Sequence, residues 1–230
     1  MTEVYVVAFD PGETTGWCVM GVEQETLNGA RHVGDKLSEN LTVFKYGQIE
    51  CLGPKNGWDS LGAAMENEGV DQMIALADEF RDSAIIFEDF IVDFSQITMS
   101  RSALSPVTVM AKFEFGLQYE GQDAKDESIL GRIFRQNRSP VKTTCTDLRL
   151  KNWKLYDRNS GPHARDAVRH AYYFLRNCRG NSIKAREQRW RAWPHIFSDP
   201  MVEDFIGKRD KLTKAAEKAI NKGRRIESLG

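Results

Sequence analysis

This chain has few cysteines and no long apolar run. It contains four cysteines that lie far apart and form no Cys-x-x-Cys motif: Cys18, Cys51, Cys145 and Cys178. This spacing argues against a zinc knuckle or a disulfide framework, so we expect reduced and mostly buried thiols. No apolar stretch approaches the roughly 18 residues of a membrane helix, and no basic region precedes an apolar run at the N-terminus. The expected protein is soluble and cytoplasmic, without a membrane partner.

Net charge is also almost absent, but the charges are unevenly distributed along the chain. The sequence has 230 residues and a formal net charge of -1. Residues 1–130 hold 8 basic and 23 acidic side chains, whereas residues 131–230 hold 24 basic and 10 acidic ones. Either the fold mixes the two halves, or the second half presents a basic face to a phosphate backbone. Eight basic residues precede the predicted helix at 162–178: Arg132, Arg135, Arg138, Lys142, Arg149, Lys151, Lys154 and Arg158.

The first candidate site residue is Asp10, which follows an apolar run. Residues 4–9 read Val-Tyr-Val-Val-Ala-Phe, and Asp10 is followed by Pro11 and Gly12. This pattern predicts a buried strand that ends in a turn with open backbone. The turn is either an ordinary hairpin with one acidic residue or part of a site that binds an anion or a metal ion.

Partner residues for Asp10 occur later in the chain. A second apolar run, 84–87, ends at Glu88, and a predicted helix begins at Pro162 with His163 and Asp166 in its first turn. Residues three apart on a helix share one face. Each of these side chains alone has an ordinary structural explanation, but the ordered set of acids and a histidine is more specific.

This ordered set resembles the RuvC-like resolvases of the RNase H-like nuclease superfamily, and most closely their mycobacteriophage members. The resemblance covers about residues 4–178. It implies an α/β fold with a mixed five-stranded sheet flanked by helices, as a nuclease domain over 1–180 with a basic extension over 181–230. It also places Asp10, Glu88, His163 and Asp166 at the family's four metal-centre positions. The segment 139–142 resembles the family's step into its last strand and puts Lys142 near bound DNA.

The implied activity is metal-dependent cleavage of branched double-stranded DNA, such as Holliday junctions. The resemblance also implies a homodimer and a cytoplasmic location, which would be the host cytoplasm if a phage encodes the chain. Carboxylates suit Mg²⁺ or Mn²⁺, and two such ions about 3.5–4 Å apart would promote hydrolysis to a 5′-phosphate nick. We assign Asp10, Glu88, His163 and Asp166 as catalytic metal ligands, although His163 could instead act as an acid or base. His170, one turn after Asp166, is more readily explained as a packed residue or a partner of a ligand. The expected nucleic-acid contacts are Arg135, Arg138, Lys142, Arg149, Lys151 and Lys154.

Periodicity predicts the remaining elements. Strands are expected near 4–10, 15–22, 41–51 and 84–91, with a strand pair near 132–144. Helices are expected near 59–80, 106–120 and 162–178, and loops over 95–105 and 121–127. The helix at 106–120 has more apolar positions than one buried stripe needs, which favours it as the dimer interface.

Three other interpretations remain at this point. A broader flap, fork or replication-intermediate nuclease would carry the same residues, because branch selection depends on loop shape and dimer geometry. A non-catalytic branched-DNA-binding protein with the same fold is the second. The third is a sugar-kinase or actin-like ATPase, which would need a second phosphate-binding turn and a larger chain. In the extension, we expect Trp190 and Trp193 to be docked on the core and the final helix to be exposed.

Overall fold

The computed structural model describes residues 2–29, 37–51, 60–90, 101–120 and 131–227. Within them, five strands form one sheet: β1 (Glu3–Asp10), β2 (Thr14–Glu23), β3 (Leu41–Glu50), β4 (Ala84–Asp89) and β5 (Ile133–Asn137). Their order is β3-β2-β1-β4-β5. The first three strands pair antiparallel, while β4 is parallel to β1 and β5 is parallel to β4. This topology confirms the expected α/β fold with a mixed five-stranded sheet flanked by helices.

Helices flank both faces of this sheet. They are α1 (Gln24–Asn28), α2 (Ser60–Glu79), α3 (Arg101–Glu120), α4 (Arg138–Thr144), α5 (Asp147–Asn152), α6 (Pro162–Cys178), α7 (Ile183–Ala192) and α8 (Pro200–Glu227), with a short 3₁₀ turn at Leu37–Asn40. Within the described residues, no helix is long and apolar enough to cross a membrane.

Strand alternation divides the core into two layers. Val6 and Ala8 of β1 pack with α6 and the C-terminal segment, whereas Val7 and Phe9 pack with α2 and α3. Successive side chains on a strand point to opposite faces. Asp10 continues the series of Val6 and Ala8, and therefore lies on the α6 side of the sheet.

The helix predicted at 162–178 is confirmed as α6, and two glycines allow its close approach to the sheet. A Cβ atom on Gly16 of β2 would lie 2.0 Å from the carbonyl oxygen of His163. Gly161, which precedes α6, has a φ of 76°, and a Cβ atom there would lie 2.0 Å from Gln48 Oε1. Side chains at these two positions would push the start of α6 away from the strands.

The predicted strand pair at 132–144 is wrong in its second half. Only β5 is a strand, and residues 138–144 form α4. The reason is a helix start signal: the Asn137 side chain accepts a hydrogen bond from the Ser139 backbone N–H, and Pro140 sits in the first turn, where its missing N–H costs nothing. The step into the last strand expected at 139–142 is therefore a helix that follows that strand.

The predicted loop at 95–105 is wrong over residues 101–105, because α3 begins at Arg101 and contains Pro106 in its interior. Residues 95–100 and the acidic loop at 121–127 lie outside the described residues. All four cysteines are buried thiols outside any disulfide, as expected.

The C-terminal segment is docked at its start and exposed at its end. Trp193 is fully buried, and its indole N–H donates to the Tyr5 backbone oxygen at 3.2 Å. Trp190 is half-buried and donates to Glu203 at 3.1 Å. Along α8, Val202 is buried and Ile206 is half-buried, while the other side chains described up to residue 217 are exposed. The docked tryptophans and the exposed final helix agree with the expectation from the sequence.

Candidate active site

The turn after β1 is closed by a buried threonine. The Thr15 hydroxyl accepts from the Gly12 backbone N–H at 3.3 Å and donates to the Gly12 carbonyl at 3.2 Å. These contacts fold the chain back into β2 directly after Asp10. They hold the Asp10 carboxylate at the C-terminal end of β1, where the neighbouring parallel strand β4 also ends.

Asp10 is paired with His163 across the sheet–helix boundary. Asp10 Oδ2 lies 2.8 Å from His163 Nδ1, and the Asp10 side chain is 12% exposed. Burial raises the pKa of Asp10, the hydrogen bond from His163 opposes this, and the nearby negative charges of Glu88 and Asp166 raise it further. The same hydrogen bond raises the pKa of His163. Arg138 lies 3.5 Å from Glu88 and 4.0 Å from Asp166, so these two carboxylates share one site, and both act on the pKa of Asp10.

Glu88 lies beside Asp10 on the next strand and has two partners of its own. Glu88 Oε2 is 3.1 Å from His170 Nε2, and Glu88 Oε1 is 3.5 Å from Arg138 Nε. Asp89, the next residue on β4, lies on the same face of the strand as Phe87, which packs with α2 and α3. Strand alternation therefore directs Asp89 away from the site.

Asp166 in the first turns of α6 is surrounded by cations. Lys142 Nζ donates to Asp166 Oδ2 at 2.7 Å, Arg169 donates to Oδ1, and Arg138 lies 4.0 Å away. Burial alone would raise the pKa of Asp166, but the hydrogen bond and charge of Lys142 and the charge of Arg169 outweigh it, so the pKa is lowered. Asp166 is therefore an anion near neutral pH.

The donor set fits a divalent cation in type and location. Three carboxylates and one imidazole meet at the ends of β1 and β4 and at the start of α6, and oxygen-rich sets of this kind suit Mg²⁺ or Mn²⁺. Among the described residues, no three His, Cys, Asp or Glu side chains lie close enough together to form a metal site as they stand. Each carboxylate instead contacts an imidazole, a lysine or an arginine. A cation at this place would have to replace some of these contacts.

The predicted nucleic-acid contacts divide into three groups. Arg138 and Lys142 lie in the site, with side chains that are 61% and 36% exposed. Arg149, Lys151 and Lys154 are exposed on α5 and the residues that follow it. Arg135 is elsewhere: it pairs with Glu114 of α3 at 2.7 Å, on the opposite face of the sheet from Asp10.

Two aromatic residues in the basic segment 149–158 pack against the core and have different neighbours. Trp153 stacks on Tyr172 with ring centroids 4.5 Å apart. Tyr156 lies under Lys151 and Arg165, with cation-to-centroid distances of 4.8 and 5.5 Å. Tyr156 therefore joins the core to the basic surface.

Sequence reasoning missed Arg169 and Gln136. Arg169 contacts Asp166, donates to the Cys145 carbonyl at 3.0 Å and also contacts Asp147, so it fixes α5 to the site. Its position three residues after Asp166 was the one available signal. Gln136 contacts His170, and nothing in the local sequence of β5 indicates this.

No family model matches the chain, and no curated protein matches it. The solved structures that are similar to it include the following two. The structure described as T. thermophilus RuvC in complex with a Holliday junction substrate has 14% identity and a TM-score of 0.44, covering 76% of this chain and 92% of that one. The Thermus thermophilus RuvC structure has 16% identity and a TM-score of 0.40, covering 76% of this chain and 93% of that one.

Proposed function

We propose that this chain is a metal-dependent endonuclease that cleaves branched DNA, four-way junctions included. The observation that carries the proposal is the meeting of Asp10, Glu88 and Asp166 at one end of the sheet, beside exposed basic residues. Carboxylate clusters of this kind bind divalent ions, and basic surfaces bind phosphate. The motif resemblance to RuvC-like resolvases, including their mycobacteriophage members, agrees with this reading.

Each site residue has a proposed role. Asp10, Glu88, Asp166 and His163 would hold Mg²⁺ or Mn²⁺, two ions per site, which would activate water and stabilise the leaving 3′ oxygen to give a 5′-phosphate nick. Asp10 is central, because the negative charges of Glu88 and Asp166 both act on its carboxylate and raise its pKa. The Nδ1 atom of His163 holds Asp10 in place at 2.8 Å.

The basic residues near the site supply binding to the DNA backbone. Arg138 and Lys142 reach the carboxylates and also remain partly exposed, so they are placed to contact the phosphates next to the reacting one. Arg149, Lys151 and Lys154 extend this surface. Contacts of this type give affinity without reading base sequence.

A homodimer is part of the proposal, since symmetric cleavage of a four-way junction needs two sites related by a two-fold axis. Of the apolar residues on α3, Val109, Met110, Phe113 and Leu117 are buried against the sheet. Val107 and Phe115 are 40% and 66% exposed, and this exposed apolar surface favours α3 as the subunit contact.

The direct test is cleavage of labelled four-way, three-way, flap and linear DNA with Mg²⁺ or Mn²⁺. Asp10→Asn, Glu88→Gln and Asp166→Asn should each abolish cleavage and leave DNA binding largely intact, because the basic contacts supply most of the affinity. Asp89→Asn is the matched control, since it neutralises a neighbouring carboxylate that alternation directs to the other face, and it should cleave normally.

Different outcomes select different functions. Cleavage of flaps or forks in preference to four-way junctions would favour a broader replication-intermediate nuclease. Binding of junctions without cleavage in either metal would favour a non-catalytic branched-DNA-binding protein. Near-normal turnover in any of the three carboxylate variants would remove that residue from the proposed site.

A further inference from the structure

A fully buried histidine connects the candidate active site to the last strand. The His170 side chain is 0% exposed, with Nε2 3.1 Å from Glu88 Oε2 and Nδ1 2.9 Å from Gln136 Oε1. Glu88 and Gln136 are register partners on β4 and β5. His170 therefore spans two strands from its place on α6.

Each nitrogen of His170 faces an oxygen atom. A carboxylate oxygen only accepts, so Nε2 carries a proton and donates to Glu88. Nδ1 lies 2.9 Å from Gln136 Oε1, and this second contact fixes the plane of the ring. Gln136 thereby orients the imidazole toward Glu88.

We propose that Gln136 and His170 position Glu88 for a divalent cation, an inference that rests on the proposed nuclease function. His170 holds Glu88 Oε2, while Oε1 faces the partly exposed Arg138 at 3.5 Å. One carboxylate oxygen is thus fixed internally, and the other is directed to the open side of the site. Partners of this kind orient ligands before the metal binds.

The placement of His170 also ties two candidate ligands together. Asp166 and His170 are four residues apart on α6, so they lie on one face of the helix. Through His170, the carboxylate on β4 is fixed relative to the carboxylate on α6. Both nitrogens of this buried ring have a polar partner, and one of the two partners is a candidate metal ligand.

The test compares two substitutions at His170 by calorimetric titration of Mn²⁺ into the full-length protein. His170→Phe keeps the ring volume and removes the donor, so Mn²⁺ affinity should fall by about 10–100-fold. His170→Gln retains an N–H group near the position of Nε2 and should recover most of that loss. His195→Phe is the matched control, because His195 is exposed and distant in the chain, and its Mn²⁺ affinity should equal that of the wild type.

Nitrogen NMR of the metal-free protein gives an independent readout. The His170 resonance, identified by its disappearance in His170→Gln, should show a protonated Nε2. Gln136→Leu removes the partner of Nδ1 and should shift the Nδ1 resonance. An unprotonated Nε2 in the wild type would overturn the inference.

The two proposals can fail separately. If the wild type binds Mn²⁺ and His170→Phe binds it equally well, the positioning role of His170 is rejected and the nuclease proposal stands. If the wild type and Asp10→Asn bind Mn²⁺ equally weakly and neither cleaves DNA, the metal-dependent function itself is rejected, and the inference with it.

Discussion

Replacement of Trp193 tests whether the C-terminal segment is part of the core that supports the candidate site. Trp193 is fully buried and packs near Phe174 of α6, with ring centroids 6.1 Å apart, and near Phe197 at 5.9 Å. A buried Trp→Ala change costs about 3–5 kcal/mol. Trp193→Phe keeps most of the apolar contact but removes the N–H donor to the Tyr5 carbonyl, and should cost about 1–3 kcal/mol.

The assay is urea unfolding of the full chain followed by far-ultraviolet circular dichroism, which does not depend on the tryptophan that is removed. Trp190→Ala is the control, since Trp190 is only half-buried, and it should cost clearly less than Trp193→Ala. Trp193→Ala with an unfolding free energy within about 1 kcal/mol of the wild type would refute the reasoning. In that case the core formed by the earlier residues would be stable without its contact to residues 181–230.

Three further predictions concern charge, metal preference and assembly. Two Arg186 hydrogen bonds to Asp199, at 2.6 and 2.7 Å, lower the pKa of Asp199. The contribution of this pair to folding stability is therefore complete above the unfolded-state pKa of about 3.9, and it is lost as the pH falls through the lower folded-state pKa. At pH 7, Asp199→Asn should therefore have a lower melting temperature than the wild type, and the difference should disappear at acidic pH. A difference in melting temperature that is constant with pH would contradict the linkage. His163→Asp should shift initial cleavage rates from Mn²⁺ toward Mg²⁺, because nitrogen is a poor Mg²⁺ ligand, and an unchanged metal preference with a moved pH optimum would reject the ligand role. Light scattering should give a dimer mass at micromolar concentration, and a monomer mass with and without junction DNA would exclude the homodimer.

The long periodic elements of the fold could be predicted from sequence, and the short ones could not. The strands β1 and β4 are apolar runs with a clear end, and α6 has a proline start signal and a strong helical repeat. Residues 138–144 are few, so their pattern is equally compatible with a strand, and the cap formed by Asn137 decides the outcome. Short elements take their structure from caps and tertiary contacts more than from periodicity.

The candidate site was predictable in its carboxylates but not in their partners. Asp10 and Glu88 follow strands, and strand ends are visible in a sequence. The contact between Gln136 and His170 of α6 depends on which face of β5 Gln136 occupies, and one residue of register decides this. The same alternation explains why Arg135, next to Gln136, lies on the opposite face and pairs with Glu114.

The uneven distribution of charge along the chain has a local consequence at Asp166. The acidic first part of the chain supplies Asp10 and Glu88, and the basic second part supplies Lys142, whose Nζ lies 2.7 Å from Asp166. Because the pKa of Asp166 is already lowered, this carboxylate is an anion at neutral pH and holds the lysine rather than a proton. A divalent cation at Asp166 would therefore exchange with Lys142, whose side chain is 36% exposed and free to turn toward a phosphate. Metal binding would release Lys142 from Asp166, and a DNA phosphate would draw Lys142 away from the same carboxylate. Metal binding and DNA binding would then be coupled through this lysine.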